Sequence, residues 1–151
     1  MKLTILENCE VNEPEIEVRC RKADESILRV LAAIRAIDNK LTGTLDEHTF
    51  ILNAADILYI DTTDRKTFLY TVDKVFESPL KLYDLEERLA GDDFIRITKS
   101  SIVNFSKVKS LRGDFGGRLI CKLENGENLN VSRQYAVTIK QKLGIIKGGS
   151  L

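Results

Sequence analysis

The spacing of apolar residues divides the chain into a short first segment and a longer second one. Alternating stretches at residues 3–5 and 16–20 predict two strands, each with one face in water. Apolar residues then return every three or four positions over residues 25–40, which predicts an amphipathic helix. Residues 1–42 therefore predict a strand–strand–helix extension, and a segment of about 40 residues is marginal as an independent domain.

The longer segment, residues 43–145, alternates with a period of two and contains several turn signals. Short strands are expected at residues 43–46, 48–53, 57–60, 67–72, 75–77, 94–97, 102–103, 108–111, 118–123 and 129–131. Two short helices are also expected, one beginning at Ser78-Pro79 and one over residues 133–143. The predicted fold class is α+β, a mainly antiparallel β-domain with short helices, and residues 146–151 form a tail.

Composition excludes several classes of protein. The chain has 151 residues, of which 43% are hydrophobic and 30% charged, as is ordinary for a folded protein. No stretch has the ~20 apolar residues that a membrane-spanning helix needs, and the first residues become acidic too early for a signal peptide. The three cysteines share no paired spacing, and the single histidine, His48, cannot anchor a metal site. We expect a cytoplasmic protein without a cofactor, a metal or a small-molecule substrate.

Catalysis is not expected either. The acidic pairs at residues 86–87 and 92–93 are the best candidates for acid–base chemistry, but no nucleophile or metal ligand stands near them in the sequence. The chain is therefore not predicted to be an enzyme.

The charges are unevenly distributed although the formal net charge is zero. Residues 1–94 hold 12 basic and 20 acidic residues, a net of −8, whereas residues 95–151 hold 11 and 3, a net of +8. Such a basic block is typical of a surface that meets phosphates. A solvated face that pairs with acidic neighbours explains it equally well, and composition alone does not decide between the two.

A pair of motifs lies within this basic block. Residues 94–104 read Phe-Ile-Arg-Ile-Thr-Lys-Ser-Ser-Ile-Val-Asn, residues 130–135 read Asn-Val-Ser-Arg-Gln-Tyr, and a Gly-rich loop at residues 116–119 lies between them. Together these motifs resemble the LytTR family, the DNA-binding domain of many bacterial transcription regulators. Its pattern is a strand ending Phe-x-Arg, a polar His/Ser-Arg/Lys-Ser segment, an Ile-Val-Asn and a closing Val-Ser-Arg. The resemblance covers about residues 43–145.

The resemblance implies that loops, rather than a recognition helix, enter successive major grooves of double-stranded DNA. By position, the three contact regions of the family fall on Arg65, Lys66 and Thr67, on Lys99 and Ser100, and on Ser132 and Arg133. Arg133 can read a guanine through two parallel hydrogen bonds, and the free N–H groups at the start of its helix favour a phosphate. Some family members have His in the first region, and many have Arg or Asn where this chain has Lys99, which cannot bond in bidentate fashion.

Other residues of the basic block keep two interpretations. Lys107 is expected to contact phosphate, and for Arg112 and Arg118, which flank the Gly-rich loop, a DNA-backbone contact and a solvated role are equally good. Arg96 lies between two isoleucines and pairs with either a carboxylate or a phosphate. Asn104 is expected to have a structural role rather than to touch DNA.

The number of residues before the part that resembles the family indicates which partners to expect. About 42 residues cannot contain the ~120-residue receiver domain of LytTR response regulators, so the chain resembles the short, stand-alone branch of the family. Residues 1–42 are expected to pair two copies, because a homodimer suits repeated half-sites one or two helical turns apart. The resemblance also suggests a membrane protein encoded nearby as a regulatory partner.

Three functional hypotheses follow. The first is a sequence-specific DNA-binding transcription regulator. The second is a protein-interaction module on the same fold that reads DNA weakly, which the missing His and the lysine at position 99 favour. The third, an RNA-binding β-domain, is weaker, because the sequence shows no aromatic pair on an evidently exposed sheet face.

Overall fold

The computed structural model describes residues 1–12 and 14–144, so the predicted tail at residues 146–151 lies outside the described part. Its helices and strands are, in chain order, α1 (Glu25–Asp38), β1 (Lys40–Leu45), β2 (His48–Asn53), β3 (Tyr59–Thr63), β4 (Lys66–Tyr70), β5 (Val75–Ser78), α2 (Leu82–Arg88), β6 (Phe94–Thr98), β7 (Ser101–Asn104), β8 (Val108–Gly113), β9 (Leu119–Leu123), β10 (Asn128–Val131) and α3 (Arg133–Lys142). None of these helices is long and apolar enough to span a membrane.

The strands form two antiparallel sheets. One sheet has seven strands in the order β2-β1-β5-β4-β3-β7-β6, and the other has three in the order β10-β9-β8. The predicted fold class, α+β with mainly antiparallel strands and short helices, is confirmed, and every strand predicted beyond residue 42 has a counterpart. No two described helices follow each other in the chain without an intervening strand, so the described residues contain no helix–turn–helix unit.

Strands β3, β6 and β7 separate two hydrophobic cores, because they carry apolar side chains on both faces. Ile102 packs into a core with the leucines of α2, whereas its neighbour Val103 packs into a core with the three-stranded sheet and α3. Successive residues of a strand point to opposite faces, and both of these are fully buried. The second core therefore fixes the small sheet and α3 against the large sheet.

Asn104 stabilises the end of β7 through hydrogen bonds of its side chain, in agreement with the structural role expected for it. Its side chain is 1% exposed, and its Nδ2 donates to the carbonyl oxygen of Ile57 at 2.9 Å. Its Oδ1 accepts the N–H and the hydroxyl of Ser106 at 3.2 and 2.6 Å. Each polar atom of the buried amide group thus has a partner, which leaves none of it for DNA.

The two strands predicted at residues 3–5 and 16–20 are not formed. Among the described residues, the chain before α1 has neither helix nor strand, and the side chains of Leu3, Ile5 and Ile16 are 88%, 88% and 67% exposed. An alternating pattern gives a segment one apolar face, but a strand also needs a neighbour for its backbone hydrogen bonds. No described strand of the same chain pairs with this segment.

The predicted helices are present, and one of them begins later than predicted. In α1 the carboxylate of Asp24 accepts the Ile27 N–H at 3.1 Å and caps the helix. Helix α2 begins at Leu82 rather than at Ser78-Pro79, because Ser78 completes β5. The Ser78 hydroxyl accepts the N–H of Leu80 and so closes a turn between strand and helix.

Replacement of Asn104 tests its structural role. Asn104→Ala leaves the buried carbonyl group of Ile57 without its donor and leaves a cavity at a buried position, so we expect the free energy of unfolding to fall by about 2–4 kcal/mol in urea denaturation. Asn128→Ala, at an exposed position of β10, should change it by less than about 0.5 kcal/mol. Equal effects of the two substitutions would contradict the assigned role.

Candidate nucleic-acid interface

The β3–β4 and β6–β7 turns lie side by side. Strands β3 and β7 are antiparallel neighbours with Asp61 opposite Ser101, so the residues after β3 and those before β7 meet at one end of the sheet. The Thr62 N–H donates to the carbonyl oxygen of Ser100 at 2.8 Å. We call this end, with the turns at Asp64–Arg65 and Lys99–Ser100, the loop end. The first two predicted contact regions therefore share it.

The β3–β4 turn has two non-glycine residues in the left-handed region. Asp64 and Arg65 have φ angles of 51° and 65° and connect the paired residues Thr63 and Lys66. Such a two-residue turn matches the twist of the strands that it joins. A side chain in this region is strained, and the hairpin on both sides holds it there. Arg65 is exposed at the loop end.

The other two residues of the first region lie in β4 and differ from each other in exposure. Lys66 Nζ is 3.8 Å from a carboxylate oxygen of Glu77, and both side chains are exposed, so the pair is weak and Lys66 can still meet another anion. Thr67 is 5% exposed and shares the buried face of β4 with Leu69. The prediction that Thr67 contacts DNA is therefore corrected: strand alternation turns its side chain inward.

Lys99 and Ser100 form the β6–β7 turn, and both are exposed. The Ser100 N–H donates to Thr98 Oγ1 at 3.1 Å, and the hydroxyls of Thr98 and Ser101 lie 2.5 Å apart across the two strands. The turn thus presents the Lys99 ammonium group from a backbone that is fixed on both sides.

Arg96 pairs with a carboxylate, which decides between its two interpretations. Its Nε and Nη2 donate to the two carboxylate oxygens of Glu86 at 3.0 and 3.3 Å. Its Nη1 donates to the carbonyl oxygen of Lys99 at 2.6 Å. Only 16% of the side chain is exposed. The guanidinium group is therefore committed to these two partners rather than presented to a phosphate.

A bulge in β6 links the second contact region to the third. The pairing register with β7 shifts between Arg96 and Thr98, which leaves Ile97 as an extra residue. Its side chain is 1% exposed, and its carbonyl oxygen accepts the Ser132 N–H at 2.9 Å. The expected free N–H at Ser132 is therefore taken by Ile97.

The start of α3 keeps two other N–H groups open. The Ser132 carbonyl oxygen accepts the N–H groups of Tyr135 and Ala136 at 3.1 and 2.9 Å. Among the described residues, the N–H groups of Arg133 and Gln134 have no hydrogen-bond acceptor. Open N–H groups at the start of a helix favour an anion such as a phosphate.

Arg133 lies against the loop that connects β8 to β9. A Cβ added to Gly117 would stand 3.2 Å from Arg133 Cγ and 3.6 Å from its Nε, so the arginine side chain crosses the glycine. Gly117 has a φ of +80°, and the loop is closed by the Asp114 N–H, which donates to the Arg118 carbonyl oxygen at 2.9 Å. Arg118 and Arg112 are exposed beside it, so this loop and α3 bring three arginines to one edge.

An open depression of about 270 Å³ lies beside the β6–β7 turn. Residues of β3, of the β6–β7 turn and of β10 line it, including Thr62, Ser100 and Asn130. Its single carboxylate is that of Asp61, which accepts the Tyr70 hydroxyl at 3.2 Å. Burial raises the pKa of Asp61, and the hydrogen bond from Tyr70 opposes that shift. Of the predicted contact residues, Ser100 lines the depression, whereas Arg65, Lys99 and Arg133 are not among its lining residues.

Lys107 lies away from the loop end. Together with Thr71, Asp73 and Lys74 it borders a second depression, beside the β4–β5 turn. Because β3, β4 and β5 alternate in direction, that turn lies at the opposite end of the sheet from Asp64–Arg65. The structure therefore does not place Lys107 with the other predicted DNA contacts.

Three of the four acidic residues considered for catalysis have structural partners, and the fourth, Glu87, is exposed on α2. Glu86 binds Arg96, and Asp93 accepts a hydrogen bond from Lys142 at 2.7 Å. Asp92 is 8% exposed and bonds to the Asn39 amide. Among the described residues, no group of three or more His, Cys, Asp or Glu side chains could hold a metal. Burial raises the pKa of the Cys121 thiol to about 11, so it is not activated either.

Phe115 was missed by the sequence analysis. It is 87% exposed and stands beside Gly116 in the loop that Arg133 crosses. An exposed ring beside basic side chains can pack on a sugar or on a thymine methyl group. The available signal was the position of an aromatic residue between turn residues rather than in an alternating stretch.

The fold and the cluster of exposed basic loops define a DNA-binding domain. Residues 47–144 match the family described as the LytTr DNA-binding domain. A solved LytTr DNA-binding domain from Bacillus cereus is similar with a TM-score of 0.67 and 25% identity, over 71% of this chain and 98% of that one. The chain belongs to the LytTr DNA-binding domain family, which is not a class of enzymes.

Relatives extend the similarity to the N-terminal segment. An HTH-type transcriptional regulator of Staphylococcus aureus (strain NCTC 8325 / PS 47) is 29% identical over 147 residues, which are 96% of this chain and 99% of the relative. Another from strain MRSA252 is 28% identical with the same coverage. These matches include most of the residues before position 47, so the relatives also have this segment.

A methyl group on Gly117 tests the contact with Arg133. Gly117→Ala and Gly126→Ala both place a side chain at positive φ, at +80° and +91°, but only Gly117 has a neighbour within 4 Å. We expect both to lower the free energy of unfolding by about 1–2 kcal/mol. Only Gly117→Ala should also displace Arg133 and weaken binding to DNA from the gene's own flanks, measured by fluorescence anisotropy. Equal affinities of the two variants would contradict the contact's role.

Proposed function

We propose that this protein is a sequence-specific transcription regulator that binds double-stranded DNA through the loop end and the adjoining start of α3. The observation that carries the proposal is the proximity of three regions that are far apart in sequence. The β3–β4 and β6–β7 turns share the loop end, and the hydrogen bond from Ser132 to Ile97 joins the start of α3 to β6. Arg65, the Lys99–Ser100 turn and Arg133 each come from a different part of the fold. Such spacing suits side chains that reach successive grooves and the backbone between them.

The charges of the loop end support this proposal. None of the ion pairs among the described residues includes the exposed cations Arg65, Lys99, Arg112, Arg118 and Arg133. Cations without protein partners are the ones that can replace counterions along DNA. With ~4–5 phosphates neutralised per domain, the logarithm of the binding constant should fall by ~4 per tenfold rise in salt.

The roles of the basic residues differ by chemistry. Arg133 offers two parallel N–H donors that match O6 and N7 of a guanine, and the open N–H groups at its helix start suit the adjacent phosphate. Lys99 offers a single ammonium group, which donates to a base edge or to a phosphate. Arg65, Lys66, Arg112 and Arg118 are assigned to the DNA backbone, together with the hydroxyl of Ser100.

The protein is proposed to act as a homodimer through residues 1–42, with residues 43–145 as the DNA-binding domain. The apolar side chains of Leu3, Ile5, Leu6 and Ile16 are all more than 60% exposed in a single copy. Exposed apolar residues on a segment without a strand partner suit pairing with a second copy. Two domains held together would bind repeated half-sites more tightly than one.

The regulatory role is supported by the relatives, which are named as transcriptional regulators. We propose that this chain likewise acts on transcription, in the cytoplasm, where its DNA is. A membrane protein encoded nearby stays a prediction from the family resemblance.

The second candidate is a protein-interaction module that reads DNA weakly. It is favoured by the lysine at position 99 and by the absence of histidine from the β3–β4 turn. Protection of the loop end by a protein partner, with none by promoter DNA, in hydrogen exchange would select this candidate over the first.

Alanine substitutions at two basic residues test the proposed interface. Arg133→Ala should lower the preference for the gene's own promoter fragment over random DNA by ~1–3 kcal/mol, because a guanine loses its two donors. Lys107→Ala removes the same charge at the far end of the sheet and should leave both affinities nearly unchanged. Salt titrations of both DNAs, by fluorescence anisotropy, supply the measurement.

Two results would refute the proposal. One is a wild-type protein that does not prefer any promoter fragment or whose binding is insensitive to salt. The other is a Lys107→Ala variant that loses as much affinity as Arg133→Ala.

Charge substitutions in the first segment test the dimer. Ile5→Lys and Ile16→Lys change exposed side chains, so a single copy should fold as before, whereas an apolar contact between copies should be lost. We expect sedimentation equilibrium to show a dimer for the wild type and a monomer for the double variant. Glu15→Lys and Glu17→Lys on the opposite face of the alternation are the controls. A wild-type monomer at micromolar concentration would rule out pairing.

A further inference from the structure

We infer that Arg96 is a positioning residue that sets the β6–β7 turn for base reading, with Glu86 as its anchor on α2. The inference rests on the proposed function, because it assigns a cause to the orientation of Lys99. Arg96 itself does not touch DNA in this arrangement. It acts through the carbonyl oxygen of Lys99, which it holds from inside the fold.

The contacts of Arg96 form a bridge from a helix to a turn. Two of its nitrogens donate hydrogen bonds to the Glu86 carboxylate at 3.0 and 3.3 Å, and the third donates to the Lys99 carbonyl oxygen at 2.6 Å. The planar guanidinium group makes both contacts in one fixed orientation. Since 16% of the side chain is exposed, water competes weakly for these bonds. The turn is thus tied to α2.

The other hydrogen bonds of the turn do not reach the carbonyl oxygen of Lys99. The Ser100 N–H donates to Thr98, and the Ser100 carbonyl oxygen accepts the Thr62 N–H. Among the described residues, Arg96 is the donor to the carbonyl oxygen of Lys99. Without it, the peptide group after Lys99 is held through its N–H alone, by the Thr98 hydroxyl. A lysine side chain is long and ends in a point charge, so its aim depends on the backbone from which it leaves.

Because Glu86 is negatively charged, its substitution can distinguish an anchoring role from an effect of charge alone. Removal of an acidic residue near the loop end should strengthen binding to any DNA if charge alone matters. If Glu86 anchors Arg96, its removal should instead lower the preference for the correct sequence. Charge alone therefore predicts a rise in both affinities with an unchanged ratio, whereas loss of the anchor predicts a fall in the ratio.

The experiment compares the full-length wild type with Arg96→Gln, Arg96→Lys and Glu86→Gln. Two matched controls remove the same charges elsewhere: Lys142→Gln breaks a half-exposed ion pair with Asp93, and Glu87→Gln changes the next residue of α2. Each protein is titrated with its own promoter fragment and with random DNA of equal length, at several salt concentrations. Thermal unfolding first establishes that each variant is folded at the temperature of the titrations.

We expect Arg96→Gln to lower the ratio of the two affinities by about tenfold with an unchanged salt slope. Arg96→Lys keeps the positive charge but lacks the planar guanidinium group, so it should not restore the ratio of the two affinities. Glu86→Gln should lower the ratio although it removes a negative charge, and the two controls should leave the ratio as in the wild type.

Three results would overturn the inference. The first is an Arg96→Gln variant that weakens both DNAs alike and lowers the salt slope by about one, which is the behaviour of a phosphate contact. The second is full recovery in Arg96→Lys. The third is an unchanged ratio in Arg96→Gln while the wild type prefers its promoter, which leaves the proposed function intact. A wild type without any preference would instead refute the proposed function and the inference together.

Discussion

The hydrogen bond from the Ser132 N–H to the Ile97 carbonyl oxygen, at 2.9 Å, is the interaction on which the candidate interface depends. The bulge makes it available: an extra residue in β6 has no ladder partner in β7, so its carbonyl group is free to point elsewhere. The Ile97 side chain meanwhile lies in the core between the two sheets. One residue therefore fixes the start of α3, and with it Arg133, relative to the turn that carries Lys99. Regions more than thirty residues apart in sequence acquire one geometry in this way.

The uneven distribution of charge can be interpreted once the partners of each cation are known. The basic block of the sequence has a net charge of +8, yet Arg96 and Lys142 within it are bound to Glu86 and Asp93 of the acidic segment. The cations of that block therefore divide into two sets: some pair with acidic neighbours, and others are exposed. A body with net negative charge repels DNA and so favours approach by the loop end. It also limits binding that is not specific to sequence.

Alternation and motif order predicted most of the fold, because strand faces and turns are local properties. The strands beyond residue 42 and the start of α3 follow from a few adjacent residues. Apart from Thr67, which strand alternation turns inward, what failed depended on residues distant in sequence. The strands expected at residues 3–5 and 16–20 require an edge that one chain does not supply, and Lys107 was grouped with the DNA contacts although the sheet carries it to the opposite end. The partner of Arg96 lies ten residues away on α2, and only the fold decides between that carboxylate and a phosphate.

DNA binding at the loop end and pairing of two copies through the first segment differ in how much of the chain must become ordered. At the loop end the turns are already fixed by the sheets and by Arg96, so contact with DNA requires little further loss of conformational freedom beyond that of the side chains. The segment before α1 has no strand partner in a single copy, so pairing of two copies must supply the backbone bonds and the apolar contacts that one copy lacks. Association of that kind is coupled to ordering and depends on protein concentration. With turns that are fixed before DNA binds and a concentration-dependent dimer, occupancy of repeated half-sites would rise steeply with expression level.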